Sequence, residues 1–553
     1  MSPLASARFF PRGLPQRLSP PATSLWFNLE VSATRFPERP ALAFYGGVTN
    51  YREFREQAEH LAGFLQAHCG VKRGERVALF LHNSPQYVIG YYAILRADAV
   101  VVPINCMNTT SELEHILRDS GATVVIAAQE LLPRVQPLLG GAVTHAVAAC
   151  YADYAGDVGD FAAPEIVTAP RKPIALPDVT AWHAALDARR EPAPHSAGPD
   201  DLALIPYTSG TTGKPKGCMH RHRGIMHSAM SIAHWHDVRH DACSLAVLPL
   251  FHVTGMQNSM NMPIYAGATI VLLPRWNREV ALRLIERYRV TNLTTVPAMI
   301  VDLVAGLDAS GADISSLRML GGGGAAMPPA VAAKLLALLG RTYLEGYGLT
   351  ETMAGTHMNP SDRPKAGCLG IPIFDMDARI IDPVTREELP QGAVGEIVMA
   401  GPQVLDGYWN NAQENENCFT EIGGKSFFRT GDLARIDEDG YFFFVDRLKR
   451  MINAAGFKVW PAEVESQLYA HPAVQEACVI GKKDPRSGEV VKALIVLKAD
   501  ARDTTPDSVI EWSRANMAAY KVPRHVQFVA QLPRSATGKI DWRLLQEQES
   551  ASP

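Results

Sequence analysis

Residues 77–104 read VALFLHNSPQYVIGYYAILRADAVVVPI, and the order of patterns within them decides the fold class. Val77–Leu81 is a short unbroken apolar run, as expected of a strand covered on both faces. Ser84 to Leu95 reads as a helix, and Val100–Ile104 as a second strand. Next come a helix, SELEHILRDSG (111–121), and a strand, ATVVIAA (122–128). Apolar strands alternating with amphipathic helices predict a parallel sheet with crossover helices.

Further along, the rhythm breaks from about Tyr151 to Pro199, a stretch rich in Pro, Ala and Asp that is expected to run as a long surface excursion. It resumes with strands AVLPLFH (246–252), ATIVLL (268–273), NLTTV (292–296) and RMLGG (318–322), and with helices beginning near Gly255, Arg278, Ala298 and Pro328. Two α/β halves are therefore expected. From Gly367 to about Val445, the short strands ARIID, GEIVMA and YFFFV between Gly, Pro and Asp turns predict a small antiparallel β subdomain. A last piece carries strands ACVIG (477–481) and VVKALIVL (490–497) and a helix from near Pro506. The fold class is α/β: an N-terminal domain over 24–447, with its two halves and a β subdomain near 367–445, then a C-terminal α+β domain over 448–553.

Composition narrows the function. With 53 Lys+Arg against 57 Asp+Glu the net charge is −4, which argues against a nucleic-acid binder and favours a small-molecule partner. The eight cysteines include Cys69, Cys218 and Cys478; they form no CxxC pair and read as reduced core thiols of a cytoplasmic protein. No apolar run approaches the roughly 20 residues of a membrane helix. Arg8, Arg12 and Arg17 precede the first acid, Glu30, as in a transit peptide, but Pro3, Pro11, Pro15, Pro20 and Pro21 break up any amphipathic helix. Residues 1–23 are thus expected to be a flexible extension.

The chemistry centres on Tyr207-Thr-Ser-Gly-Thr-Thr-Gly-Lys-Pro-Lys-Gly217. Small hydroxyl residues and glycines let backbone N–H groups approach an anion closely, and Lys214 and Lys216 add positive charge. The spacing does not meet the Walker A rule. This segment resembles the signature loop of the acyl-adenylate-forming superfamily, which includes acyl-CoA synthetases, peptide-synthetase adenylation domains and luciferases. Further motifs follow in the family's order: Tyr347-Gly-Leu-Thr-Glu351, Thr430-Gly-Asp432, Asp446-Arg447-Leu-Lys449 and Pro533-Arg-Ser-Ala-Thr-Gly-Lys539. The likeness runs from about Ser24 to Leu545, and the chain resembles bacterial fatty-acid CoA ligases.

The resemblance implies a role for each motif. Thr208, Ser209, Gly210, Thr211, Thr212, Gly213, Lys214 and Lys216 would steer the ATP phosphates. Glu351 would hold Mg²⁺, and Thr350 would contact the AMP phosphate. Tyr347 would stack on adenine, with Gly324 and Ala325 along its face, while Asp432 and Arg447 would take the ribose hydroxyls. Lys539 would neutralise charge in the adenylation transition state. The C-terminal domain would then pivot near Lys449, bringing Gly456 and Phe457 over the pantetheine of coenzyme A. Asn453 departs from the pattern, since several plant and bacterial ligases place a lysine there.

In the acid pocket, Pro249-Leu-Phe-His252 resembles the aromatic–His element that gates the acyl channel. No aspartate occurs between Leu248 and Ala266 to pair an α-ammonium, so a cationic substrate would lie unpaired among Val253, Met256 and Met260. The glycines of 321–324, Gly322 and Gly323 among them, are expected to leave space at the pocket floor. The expected activity is ATP-dependent synthesis of an acyl-CoA through an acyl-adenylate, from a medium- or long-chain fatty acid. An aryl acid is the alternative substrate. The alternative acceptor is a carrier protein in trans, since the few residues after Leu545 leave no room for a fused one. A catalytically dead nucleotide-binding module is the non-enzyme alternative, and homodimer formation is left open.

Overall fold

The computed structural model describes residues 9–157, 159, 161–208, 215–324, 327–454, 457–484, 488–499, 501, 503–534 and 540–551. The opening βαβ unit forms as read. Strands Arg76–Phe80 and Val100–Pro103 pair in parallel and are joined by helix Pro85–Arg96. Ser84 Oγ accepts from Tyr87 N at 3.2 Å, and Pro85, which has no N–H to leave unsatisfied, occupies the first turn. Pro85 through Leu95 are all buried, because the helix packs against strands of two different sheets.

The first sheet has seven strands in the order His220–Arg221, Leu202–Leu204, Val100–Pro103, Arg76–Phe80, Val124–Ala128, His145–Ala149 and Val179–Ala181. The second has nine: Ile371–Pro372, Ala354–Met358, Leu344–Leu349, Met319–Gly322, Asn292–Thr295, Cys243–Ala246, Thr269–Leu272, Pro40–Phe44 and Gly47–Asn50. Its six inner strands run parallel. The expected two α/β halves are therefore present, and one continuous apolar core joins them.

Three expectations differ from the structure, and one pair of strands was not expected at all. Pro40–Phe44 and Gly47–Asn50 were not anticipated, yet the former pairs in parallel with Thr269–Leu272, so the N-terminal segment completes the second half. The excursion at 151–199 includes an edge strand, Val179–Ala181, and a helix, Trp182–Asp187, whose buried Trp182 donates Nε1–H to Tyr154 Oη at 3.0 Å. The strand expected over 246–252 ends at Ala246, where the Asn83 side chain substitutes for a neighbouring strand. Its Nδ2 donates to the carbonyls of Ala246 and Leu248 (3.1 and 2.9 Å), and its Oδ1 accepts from Leu250 N (2.8 Å). Within the expected flexible extension, residues 9–23 are pinned: Phe10 packs edge-on against Trp235 and Phe374 at 5.2 and 5.3 Å, and Leu18 N donates to Asp375 Oδ2 at 2.9 Å.

Two compact units divide the chain, Ser2–Asp377 with Ala400–Ser426, and Ala378–Met399 with Phe427–Pro553. The sheets above belong to the first unit. In the second, Gly395–Ala400, Lys425–Ile436 and Phe442–Arg447 form most of a small antiparallel sheet. Val474–Asp484 and Gly488–Leu497 form a long antiparallel pair, flanked by Ile452–Ala454 and by the parallel strand His525–Phe528. Helices Pro461–Leu468 and Pro506–Asn516 cover it, burying Val464, Leu468 and Val509 against Ile495 and Val491.

Candidate active site

In an open parallel sheet the loops leaving the carboxyl ends of the strands gather in one crevice. His252 follows strand Cys243–Ala246, Gly324 follows Met319–Gly322, and Thr350 and Glu351 follow Leu344–Leu349. Residues far apart in sequence therefore share one edge of the nine-stranded sheet.

Thr350–Thr352 is a single 3₁₀ turn, and the two residues after it, Met353 and Ala354, take left-handed φ of 48° and 75°. Such a pair costs conformational energy unless its surroundings impose it. Here Gln403 Nε2 donates to the carbonyls of Thr352 and Gly355 at 2.8 and 2.7 Å, and Leu405 N donates to Glu351 O at 2.8 Å. His220 Nε2 lies 2.8 Å from Thr350 O, and burial lowers its pKa to about 4, so a neutral ring can donate this bond near pH 7. Tyr408 Oη donates to Glu351 Oε1 at 2.9 Å.

The stem of the Gly/Thr loop is a two-stranded hairpin in which Thr208 opposes Lys216 and Tyr207 opposes Gly217. Ser209, Gly210, Thr211, Thr212, Gly213 and Lys214 lie outside the described residues, as do Ala325, Gly456 and Lys539; Phe457 is described in its backbone only. Lys216, expected to steer the ATP phosphates, has its Nζ 2.6 Å from Glu414 Oε1 and above the Tyr408 ring, 5.2 Å from the centroid, in a side chain only 8% exposed.

Tyr347 lies half-buried in its strand, edge-on to His357 at 5.7 Å. Gly324 has φ 91°, and beyond it Glu345 accepts from Met327 N (2.9 Å) and Gly367 N (2.8 Å), tying the glycine loop to the sheet. A Cβ on Gly322 would fall 1.9 Å from Thr295 O, and one on Gly323 would fall 2.4 Å from Gly346 O. These glycines permit close strand approach.

His252 precedes the helical turn Val253–Met256, with its ring 4.7 Å from that of Phe251. Val253, Met256, Met260 and Met262 are buried. A π-helical turn, Gln257–Asn261, follows, and a buried amide network holds it. Tyr92 Oη donates to Asn261 Oδ1 (3.1 Å), Asn261 Nδ2 to Gln257 Oε1 (2.9 Å), and Gln257 Nε2 to Ile225 O (3.1 Å).

In the second unit, Asp432 is buried and stands opposite Arg447 on the neighbouring strand, with Arg447 Nε 3.2 Å from its Oδ1. Gly431, at φ 70°, donates N–H to Glu396 Oε1 at 3.0 Å, and Thr430 Oγ1 donates to Ile397 O at 2.8 Å, which fixes the bend. Lys449 is in the 3₁₀ turn Leu448–Arg450 between two anchored residues. Asp446 accepts from Arg447 N and Ala462 N, both at 2.6 Å, and Arg450 pairs with Glu465.

Tyr408, Gln403, His220 and Asn83 carry much of this geometry, yet the sequence reading did not single them out. The signal for Tyr408 was its place in an Asp-Gly-Tyr-Trp turn (406–409), where a buried phenol beside charged segments needs a polar partner. Ser24, His195 and Asp98 line up like a hydrolytic triad, with Oγ–Nε2 and Nδ1–Oδ1 distances both of 2.6 Å. Ser24 is fully buried, however, so the set pins the chain entering helix Trp26–Arg35.

A parallel sheet that carries an acidic turn and a glycine loop at the ends of its strands, with a Gly/Thr hairpin tied to that turn through residues 405–409, is the framework of a nucleotide-using α/β enzyme. Residues 29–409 match the model of the AMP-binding enzyme family, and residues 463–539 match that of the AMP-binding enzyme C-terminal domain. The long-chain-fatty-acid–CoA ligase of Bacillus subtilis (strain 168) is 35% identical over 552 residues, covering 98% of this chain and 97% of that protein. The feruloyl-CoA synthase of Amycolatopsis sp is 35% identical over 508 residues, covering 91% and 94%. The crystal structure of ATP-bound MatB from Rhodopseudomonas palustris superposes with a TM-score of 0.81 at 28% identity, covering 95% and 99%. The chain belongs to the AMP-binding enzyme family and is an AMP-forming acid–thiol ligase.

Proposed function

We propose that the chain activates a medium- or long-chain fatty acid with ATP and passes the acyl group to coenzyme A. The observation that carries this reading is the segment after His252. From Val253 to Ile264 it has no ionisable side chain, and Met256, Met260 and Met262 are wholly buried. Methionine adapts to apolar shapes, and nothing in this segment would pair a second carboxylate or an α-ammonium. The similarity to the Bacillus ligase supports the fatty-acid choice. The equal identity to a feruloyl-CoA synthase favours an aryl acid as the second reading.

In the first step a carboxylate oxygen attacks the α-phosphorus of ATP and pyrophosphate leaves. Two anions must meet, so positive charge and fixed donors decide the rate. The 208–214 loop holds the phosphates on its hairpin stem. Asp432 accepts the ribose hydroxyls, and Arg447 supports it. Tyr347 and Gly324 flank adenine together with Ala325, Thr350 contacts the α-phosphate, and Lys539 offsets the charge that builds up there. Glu351 offers one hard carboxylate, two hydrogen bonds from the loop stem by way of Tyr408 and Trp409, whose N donates to Gly217 O at 2.7 Å. Glu351 would hold an Mg²⁺ ion there, a hard cation that takes oxygen ligands. When bound, Mg²⁺ would supply charge neutralisation to the departing pyrophosphate. In the second step the thiol of coenzyme A attacks the acyl carbon and AMP leaves, with Gly456 and Phe457 beside the pantetheine and Lys449 as the pivot. His252 gates the acyl channel. The eight free thiols fit a reducing compartment such as the cytoplasm.

The test is a series of linear fatty acids beside benzoates and cinnamates, read as kcat/KM. Each buried methylene contributes about 0.8 kcal/mol, nearly fourfold, so activity should climb with chain length until the channel is full. A flat, poor series beside one strongly preferred aromatic acid would overturn the fatty-acid assignment.

A further inference from the structure

We infer that Tyr408 is the positioning residue for Glu351, with Lys216 and Glu414 fixing the ring that carries its hydroxyl. This rests on the reading of Glu351 as the residue that holds Mg²⁺. A carboxylate on a three-residue turn has two side-chain torsions beyond Cβ to settle, and a donor to one of its oxygens narrows them. Tyr408 Oη is that donor, at 2.9 Å from Oε1.

The donor is itself held from several sides. Tyr408 N donates to Asn415 Oδ1 at 2.6 Å, and its carbonyl accepts from Asn415 Nδ2 at 2.9 Å. Residues 406–409 are laced to the strand leaving the Gly/Thr loop: Asp406 N donates to Met219 O (3.1 Å), Met219 N to Gly407 O (3.0 Å), and Trp409 N to Gly217 O (2.7 Å). Lys216 Nζ lies over the phenol ring and is held there by Glu414 Oε1 at 2.6 Å. A cation on the ring face draws electron density from the phenol and strengthens its O–H as a donor. The loop lysine therefore acts on Glu351 through Tyr408, which explains why so conspicuous a cation of the motif is turned away from solvent.

The experiment uses the full chain, with Mn²⁺ as the probe, titrated into the enzyme–ATP complex and followed by electron paramagnetic resonance. Tyr408→Phe keeps the ring and removes the hydroxyl. It should raise the Mn²⁺ Kd about tenfold, with acid KM within about twofold of the parent and Tm within about 2 °C. Lys216→Met should move the Mn²⁺ Kd in the same direction by about threefold. In a Glu351→Gln background, Tyr408→Phe should have no further effect. Parent-like Mn²⁺ binding by Tyr408→Phe, or an undiminished effect of Tyr408→Phe beside Glu351→Gln, would overturn the inference. If Glu351→Gln alone leaves Mn²⁺ binding unchanged, the reading of Glu351 fails first and this inference falls with it.

Discussion

Glu351 and Asp432 are ordinary acidic residues when taken singly, and only their motifs mark them out. Their supports show why such motifs are spelled as they are. Thr350–Thr352 must turn sharply off a strand into two left-handed residues, and Gly431 must bend before Asp432. The left-handed pair does not show in the sequence, since Met353 and Ala354 are not residues that favour that backbone. The partners do not show either. Tyr408 is 57 residues from Glu351, and His220 is 130 residues from Thr350, so no spacing rule connects them. The partner of Lys216, Glu414, is likewise brought to it by the fold. The residue with the sharpest individual prediction is Lys539. Lys539→Ala should lower adenylation roughly 10²–10³-fold, as loss of a transition-state charge stabiliser does, while thioester formation from supplied acyl-AMP survives much better. Equal losses in the two half-reactions would make the lysine a folding residue.

Among the elements, the parallel strands and their crossover helices were readable because a strand buried on both faces is an unbroken apolar run. The strand at 40–44 escaped because it lies far in sequence from its neighbour at 269–272. The strand expected beyond Ala246 was lost to a side chain, Asn83, that an apolar pattern does not reveal. The glycine run at 321–324 has two physical readings, space at the pocket floor and close strand approach, and substitution separates them. Gly322→Ala would set a methyl 1.9 Å from Thr295 O and 2.7 Å from Tyr343 Oη, neither placed to retreat cheaply, and should cost about 3 kcal/mol by urea unfolding. Gly340→Ala, at the φ 62° end of helix Pro329–Leu339 with open space around it, should cost only about 1 kcal/mol. Similar small losses in both would favour the reading of an open pocket floor.

For the molecule as a whole, buried imidazoles couple stability to acid. Burial lowers His220 and His222 to about 4 and His357 to about 3, against 6.5 for a free ring. Between these values the unfolded chain binds protons that the native state does not, so stability is full above pH 6.5 and is lost as pH falls toward 4. Each ring contributes up to about 1.4 kcal/mol per pH unit in that window. Urea midpoints should therefore be flat from pH 7 to 8 and fall steeply below 6; a midpoint unchanged down to pH 4.5 would mean that these rings are protonated in the native fold.

Carboxylate-dependent exchange of labelled pyrophosphate into ATP, run without coenzyme A and followed by product analysis after its addition, tests the central assignment most directly. A fatty acid should drive the exchange through the reversible adenylate, and coenzyme A should then convert that adenylate to acyl-CoA with AMP released one for one. Formation of ADP, or acyl-CoA synthesis with no acid-dependent exchange, would contradict an acyl-adenylate mechanism for this chain.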